Sequence, residues 1–387
     1  MKLDVLIVGG GLAGASLAVA LGHSRLRVGL VDERRPQKSA AWDSRIYAIS
    51  PANQRFLDTI GIWKRLDASR MMRVHEMQIF GDDGAPMRFS AYDSGVSELA
   101  WTVEQSQIHS ELWETLSRQQ NVSLYCPMRG KKLRVDAESA TLELDDGAQL
   151  EASLVVAADG GRSWVRQQAG IGATVEPYNE LGVVANFRCE KAHHGVAYQW
   201  FTPQGVLAYL PLPGNRMSMV WSAPENLGRE LQEMDAEQLA SLVADQGENV
   251  LGRLKLETTQ RAFPLQLMTV DRTVVRRVAL IGDAAHAIHP LSGHGVNLGL
   301  QDSRVLAQEL STLAAWHDPG ELAVLRAYAR ARAEEPALMQ FGTHFLNRLF
   351  KKDNFFVRQL RNRGLRMTDT LGPVKSALVR YATGDRF

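Results

Sequence analysis

The sequence predicts an α/β chain: a parallel-sheet nucleotide-binding unit, an antiparallel sheet inserted into it, and a helical, basic C-terminal region. Three observations carry this. An apolar strand at the N-terminus runs into glycines and then a helix. Two later apolar strands, at 153–157 and 278–281, each lead into an acidic, glycine-containing turn. Between those two strands lies a block of strand-like runs with turn punctuation. The length of 387 residues suggests two packed units. Hydrophobic residues at 45% and charged residues at 22% fit a globular chain and exclude a disordered one. A net charge of +1 argues against a nucleic-acid binder built on bulk positive charge. Cys126 and Cys189 form neither a CxxC pair nor a metal-ligand spacing, which suits a reducing cytosol and predicts no metal site.

Taken in order, Leu3 to Val8 read as a buried strand, and Gly9-x-Gly11-x-x-Gly14 follows. An Ala/Leu-rich helix then leads to a second strand ending at Asp32, 18 positions after Gly14. Residues 5–22 carry no charge and could be read as a signal peptide or short span. Gly9, Gly10, Gly11 and Gly14, with the preceding Asp4, favour strand, turn and helix instead. The unit matches a dinucleotide fingerprint. Gly9 permits the tight turn, Gly11 lets a pyrophosphate approach, and Gly14 lets helix and strand pack. The helix start at Leu12 and Ala13 supplies free N–H groups, and Asp32 would accept from a ribose hydroxyl. This motif does not separate FAD from NAD. Arg34 and Arg35 leave room for a 2′-phosphate, and Asp32 argues against one.

The second motif is Asp159-Gly160-Gly161-Arg162-Ser163-Trp164-Val165-Arg166; alone, it could be a turn capped by Asp159. The third is Gly282-Asp283-Ala284-Ala285-His286, followed by Pro290-Leu291-Ser292-Gly293-His294-Gly295-Val296-Asn297 and a long helix. A carboxylate at a strand end, followed by a glycine-rich helix start, suits a flavin. Asp283 could accept from ribityl hydroxyls. The helix opening at Gly295 to Asn297 could stabilise negative charge on a reduced flavin by about 0.3–2 kcal/mol.

At these residues the chain resembles class A flavoprotein aromatic hydroxylases of the para-hydroxybenzoate hydroxylase fold. The closest resemblance is to ubiquinone-biosynthesis hydroxylases of the UbiH/UbiF/VisC type. It covers nearly the whole chain and includes Arg45 in Ser44 to Ser50, Leu57 to Trp63, Val103-Glu104-Gln105 and Trp200-Phe201-Thr202-Pro203. The resemblance implies a Rossmann-like FAD-binding domain, an inserted antiparallel-sheet substrate domain and a C-terminal helical region. It places Arg45 near the FAD pyrophosphate and Gln105 near the ribityl-phosphate region. It implicates Asp159 in FAD and NAD(P)H handling, makes Asp283 the ribityl acid, and sets Pro290, Gly293, Gly295, Val296 and Asn297 beside the isoalloxazine. His294 departs from the family pattern, which has Gln there, and its charge can vary with pH.

The expected domains are 1–72, 106–174 and 276–345 for FAD, and 73–105 and 175–275 for the substrate. Strand-like runs fall at 182–188, 197–201, 205–210 and 216–221, with a turn at Pro213-Gly214-Asn215. Trp200 and Phe201 read as core more readily than as pocket wall, and His193-His194 as a solvated loop. His286, His289 and His294 lie close together without a Cys or Glu, so a metal reading is not adopted.

The implied reaction is aromatic hydroxylation. NADH or NADPH reduces FAD, O2 reacts with the reduced flavin, and one oxygen atom goes to the ring of a polyprenylated phenol. No catalytic base is nominated. Residues 346–387 hold ten Lys or Arg and three Asp, a net of +7, which leaves −6 for residues 1–345. Apolar residues recur through that region at roughly helical spacing, so a membrane surface, a packed helix or a pathway protein could meet it. The expected location is cytoplasmic, with possible contact at the inner face of the membrane. Competing readings are another flavoenzyme on the same fold, a non-catalytic flavin-binding assembly subunit, and a plain NAD dehydrogenase. No Trp-x-Trp of the flavin halogenases is present.

Overall fold

The computed structural model describes residues 2–81, 86–289 and 295–351. The chain opens with β1 (Leu3–Val8), α1 (Leu12–Ala20), β2 (Val28–Val31), β3 (Ile46–Ile49) and α2 (Pro51–Thr59). Then come β4 (Met72–Val74), β5 (Glu76–Phe80), β6 (Met87–Ser90), β7 (Ala100–Glu104) and α3 (Gln105–Leu116). Next are β8 (Val122–Tyr125), β9 (Gly130–Val135), β10 (Ala140–Leu144), β11 (Gln149–Ala157) and α4 (Trp164–Gln168). The inserted block holds β12 (Ala173–Cys189), β13 (Val196–Thr202), β14 (Gly205–Leu212), β15 (Arg216–Pro224), α5 (Glu225–Glu233), α6 (Ala236–Gln246), β16 (Leu254–Leu256) and β17 (Arg261–Val270). The last elements are β18 (Val274–Val275), β19 (Val278–Leu280), α7 (Gly295–Ser311), α8 (Leu322–Ala331) and α9 (Glu334–Lys351).

The first sheet runs β18-β19-β11-β1-β2-β8. β1 lies parallel to both β2 and β11, and β19 extends the parallel set. Both faces are covered, which is why these strands are continuous apolar runs. Leu17 of α1, Leu112 of α3 and Leu300 of α7 pack on one face. Leu133, Leu142 and Val165, from the β9–β10 pair and α4, pack on the other. The uncharged residues 5–22 are thus strand, turn and helix. Among the described residues no helix is long and apolar enough to cross a membrane.

The second sheet runs β16-β12-β15-β14-β13-β5-β6, with β17 on β12. The turn at Pro213-Gly214-Asn215 joins β14 to β15 with φ of +71° at Gly214 and +52° at Asn215. Glycine and asparagine tolerate that left-handed region best. The sheet is not wholly antiparallel. β5 enters from a distant segment rather than through a hairpin, and it pairs parallel to β13. Along β12, Val183, Ala185 and Phe187 join the core with α5 and α6 residues. Residues 180, 182, 184 and 186 therefore face the other way, toward the nucleotide-binding unit. Trp200 sits in that same core, 2% exposed, and Phe201 is also buried.

A third sheet of β3, β7 and β4 lies between the two. Residues 73–105 accordingly divide. β5 and β6 join the inserted sheet, whereas β7 pairs with β3, Ile46 opposite Glu104. One expectation is corrected: His193 is not solvated. It is buried, with Nε2 on the Leu212 carbonyl at 2.8 Å and Nδ1 accepting from Gly195 N–H, because the tight turn at positive-φ His194 folds it inward. Of the basic region at 346–387, all but the end of α9 lies outside the described residues.

Candidate flavin-binding site

The glycine turn lies at the carboxyl end of β1. Gly9 has φ +105°, and a Cβ there would lie 2.3 Å from the Ala158 carbonyl oxygen. A Cβ on Gly14 would lie 1.9 Å from the Gly9 carbonyl oxygen, so α1 seats directly on the turn. A Cβ on Gly11 would meet nothing within 4 Å. That open space borders the start of α1, where Gly11 is the N-cap, no side chain caps the helix and the first turn holds no acid. Free N–H groups beside an open space fit a phosphate. Leu12 and Ala13 stand in that first turn, as the sequence suggested.

Asp32 holds the turn in shape. Its carboxylate accepts from Gly10 N–H at 2.5 Å and from Arg34 N–H at 2.8 Å. A carboxylate has about four acceptor positions, so capacity for a ribose hydroxyl remains. Two residues without a role in the sequence reading grip the turn from α3. Trp113 Nε1 donates to the Gly10 carbonyl at 2.8 Å, and His109 Nε2 lies 2.7 Å from the same oxygen. Burial pulls the His109 imidazole below its ordinary value, which suits a neutral ring donating from Nε2. Gln105, His109 and Trp113 stand at i, i+4 and i+8, so one helical stripe carries all three. That spacing was the available signal.

The β3–β7 pairing brings Arg45 to Gln105. Arg45 Nη1 lies 3.4 Å from Gln105 Oε1, and Gln105 N–H donates to the Arg45 carbonyl. The Phe263 ring lies 5.9 Å from the Arg45 guanidinium. Phe263 pairs with Gly182 across β12 and β17, and a Cβ on Gly182 would reach its ring at 2.8 Å. Glycine at 182 thus makes room for an aromatic ring over this side of the site. Tyr47 is half-buried on β3; burial pushes its phenol up to about 12, Arg45 opposes, and Asp283 and Asp43 add to the rise.

The second and third motifs are bonded to each other. Arg166 Nη1 donates to the Ala284 carbonyl and its Nη2 to the Gly161 carbonyl, both at 2.9 Å. Asp159 spends both oxygens on the start of α4, accepting from Ser163 Oγ at 2.5 Å and Val165 N–H at 3.0 Å. Asp159 thus shapes this turn, and as with Asp32 its carboxylate keeps acceptor positions to spare. Asp283 differs. Its side chain is open to solvent yet surrounded by protein, as on the floor of a cleft. That enclosure holds its carboxyl above the ordinary range, with His286 lowering it and Asp302 raising it.

At the start of α7, Gly295 faces open space and Val296 is half-buried. The Asn297 side chain is turned away from that opening. Its amide donates to the Ala48 carbonyl at 2.8 Å and its oxygen accepts from Ser50 N–H and Asn53 Nδ2. Asn297 thus pins α7 to β3, and its own carbonyl accepts from Asn53 Nδ2 at 3.1 Å. Pro290, Gly293 and His294 lie outside the described residues. His286 and His289 each take a different buried acid, Asp302 at 2.7 Å and Glu180 at 2.8 Å.

A family model described as an FAD binding domain matches residues 2–339. A ubiquinone hydroxylase, UbiL, of Rhodospirillum rubrum is 36% identical, covering 98% of this chain and 89% of that protein. The 3-demethoxyubiquinol 3-hydroxylase of Escherichia coli is 32% identical, covering 98% of both chains. The solved structure of PqsL, a probable FAD-dependent monooxygenase from Pseudomonas aeruginosa, has a TM-score of 0.80 over 95% of this chain and 100% of its own. Its identity is 24%, so that likeness concerns the fold.

Proposed function

The chain belongs to the FAD-binding-domain family of flavoprotein monooxygenases, and from that membership we propose that it hydroxylates the ring of a polyprenylated phenol in ubiquinone biosynthesis. The observation that carries this reading is that the Gly9–Gly14 and Gly282–Asp283 turns stand together at the carboxyl ends of the parallel strands β1 and β19, with the Arg45–Gln105 pair on the β3–β7 sheet near Asp283. FAD, when bound, supplies the electron transfer and oxygen chemistry, with NADH or NADPH as donor.

The chain's own residues bind, orient and exclude water. The uncapped start of α1 would take the pyrophosphate, Asp32 a ribose hydroxyl, Arg45 and Gln105 the pyrophosphate-to-ribityl region, and Asp283 the ribityl chain. The sheet face carrying Gly182 and Phe263 would cover the reacting ring, where excluding water protects reactive species. Deletion of the gene in its host, followed by mass analysis of quinone precursors, tests the pathway. Accumulation of a precursor lacking one ring oxygen is expected. A normal quinone pool with no precursor, in a host without a second hydroxylase, removes the assignment.

A contact outside the cleft belongs to the same reading. Leu338, Phe341 and Phe345 of α9 are 47%, 70% and 53% exposed, and the two phenylalanine rings stack. Gln340 and His344 of the same helix point inward, to the Met268 carbonyl and the Tyr178 hydroxyl. An outward apolar stripe, followed in sequence by a region of net charge +7, suits an anionic membrane surface, where a prenylated substrate resides. The protein is then expected to co-sediment with anionic liposomes and not with neutral ones, and Phe341→Ser with Phe345→Ser to weaken this about tenfold or more. Equal liposome binding by a folded protein lacking residues 352–387 and carrying both serines would show that neither α9 nor the basic region makes the membrane contact.

A further inference from the structure

Asp43 lies just before β3, and each of its polar groups is bonded to a different part of the chain. Its N–H donates to Glu104 Oε1 at 2.6 Å. Its carbonyl accepts from Asn186 Nδ2 at 2.8 Å, which ties it to β12 of the inserted sheet. Its carboxylate accepts from Arg45 N–H at 3.0 Å through Oδ1 and from Ser106 N–H at 3.1 Å through Oδ2. Glu104 is 0% exposed and is itself fixed, because Arg70 donates to it through Nε and Nη2, both at 2.7 Å. The same guanidinium donates to the Ala40 and Ala41 carbonyls, so the chain leading into Asp43 is held as well.

Ser106 is the second residue of α3, in the turn where helical N–H groups lack partners within the helix. Glu104 stands at the N-cap, but its side chain does not cap, and the first turn of α3 carries no acid. Asp43 therefore supplies the capping carboxylate from another segment, at the end where the helix dipole favours negative charge. The other oxygen of that carboxylate closes a turn on Arg45, two residues on. One side chain thus fixes the backbone of Arg45 and the start of the helix whose first residue is Gln105. The Arg45 side chain is exposed and rests on Gln105 at 3.4 Å and on the Phe263 ring, so its backbone largely sets its direction. We propose that Asp43 is a positioning residue that presents Arg45 and Gln105 to the flavin as one unit. The inference rests on those two residues being flavin ligands. Were Asp43 only a cap, its loss would loosen α3 as a whole, and with it the grip of His109 and Trp113 on the Gly10 carbonyl. That weakening would persist in a protein without the Arg45 and Gln105 side chains.

Flavin affinity of the holoenzyme, read by the fluorescence of FAD released on dilution, separates these roles. The wild type, Asp43→Ala, the pair Arg45→Ala with Gln105→Ala, and all three changes together form a double-mutant cycle. Asp43→Ala is expected to bind FAD about tenfold more weakly, and the pair at least as weakly. Adding Asp43→Ala to the pair should change affinity by less than about twofold. Losses that multiply in full, or wild-type affinity in Asp43→Ala, overturn the role of Asp43 while the ligand pair stands. Wild-type affinity in Arg45→Ala with Gln105→Ala overturns the ligand reading and the inference with it. If Asp43→Ala does not fold, Asp43→Asn takes its place in the cycle. Asparagine offers one acceptor oxygen where two are used, so a loss of about threefold is expected, and only while Arg45 and Gln105 are present. No loss in Asp43→Asn, or the same loss without that pair, overturns the proposal.

Discussion

Gly14→Ala is expected to abolish flavin retention and to cost about 3 kcal/mol or more of stability. The added methyl would sit 1.9 Å from the Gly9 carbonyl oxygen and 3.0 Å from the Ala158 Cβ. The nearest of these is backbone, so no flexible side chain can give way. Relief would require α1 to lift from the turn, and α1 packs on α7 and α3 through Leu17, Ala18 and Leu300. Gly11→Ala is the matched control, because its methyl meets nothing in the protein. It should unfold like the wild type in the flavin-free state and still bind FAD poorly, since the methyl occupies the space offered to the phosphates. Flavin-to-protein ratio and chemical unfolding of both variants check this. A Gly11→Ala protein with full flavin content would remove the phosphate cradle from α1.

Arg332→Met is expected to destabilise the protein by about 3–5 kcal/mol. Arg332, 5% exposed, bonds Asp302 through Nε and forms an ion pair with Glu335. Its loss leaves two acids short of a partner, one of them fully buried. Arg332→Lys keeps the charge without the planar fork and should lose less. The pH dependence has a definite sign. The Asp302 carboxyl lies below its ordinary value, its burial outweighed by His286 and Arg332, so its contribution falls as pH drops from the ordinary carboxylate range through that lower value. The His286 imidazole lies above its ordinary value, so its contribution falls as pH rises from the ordinary imidazole range through that higher value. Wild-type stability should therefore be greatest between the two ranges. Urea midpoints across pH check both claims.

Much of the fold was legible because its signals are local. Leu3 to Asp32 states a strand, a glycine turn, a helix and an acid within one stretch, and the β14–β15 turn is written in Pro213-Gly214-Asn215. At Gly11, Arg45 and Asp283 the surroundings stay open to a ligand. Asn297 and Asp159, polar residues at helix starts, also bond inside the protein, which the sequence alone does not reveal. Polar type and position look alike in the two cases, and only the tertiary partner tells them apart. Arg332 carries no local mark. It follows α8, thirty positions after Asp302, and the pairing exists only once α7 and α8 pack. The split of residues 73–105 between two sheets was hidden for the same reason, since strand-like patterning does not name a partner.

The central claim is that this cleft holds FAD and uses it to place one oxygen atom on a prenylated phenol. Its most direct measurement is a turnover of the purified holoenzyme with NADH or NADPH, a prenylated phenol and isotopically labelled dioxygen, analysed by mass spectrometry. The account predicts a product carrying a single labelled oxygen on the ring, formed only when flavin, reduced nicotinamide and dioxygen are all present. Nicotinamide oxidation that yields only hydrogen peroxide and unchanged phenol, across phenols of varied prenyl length, would contradict it.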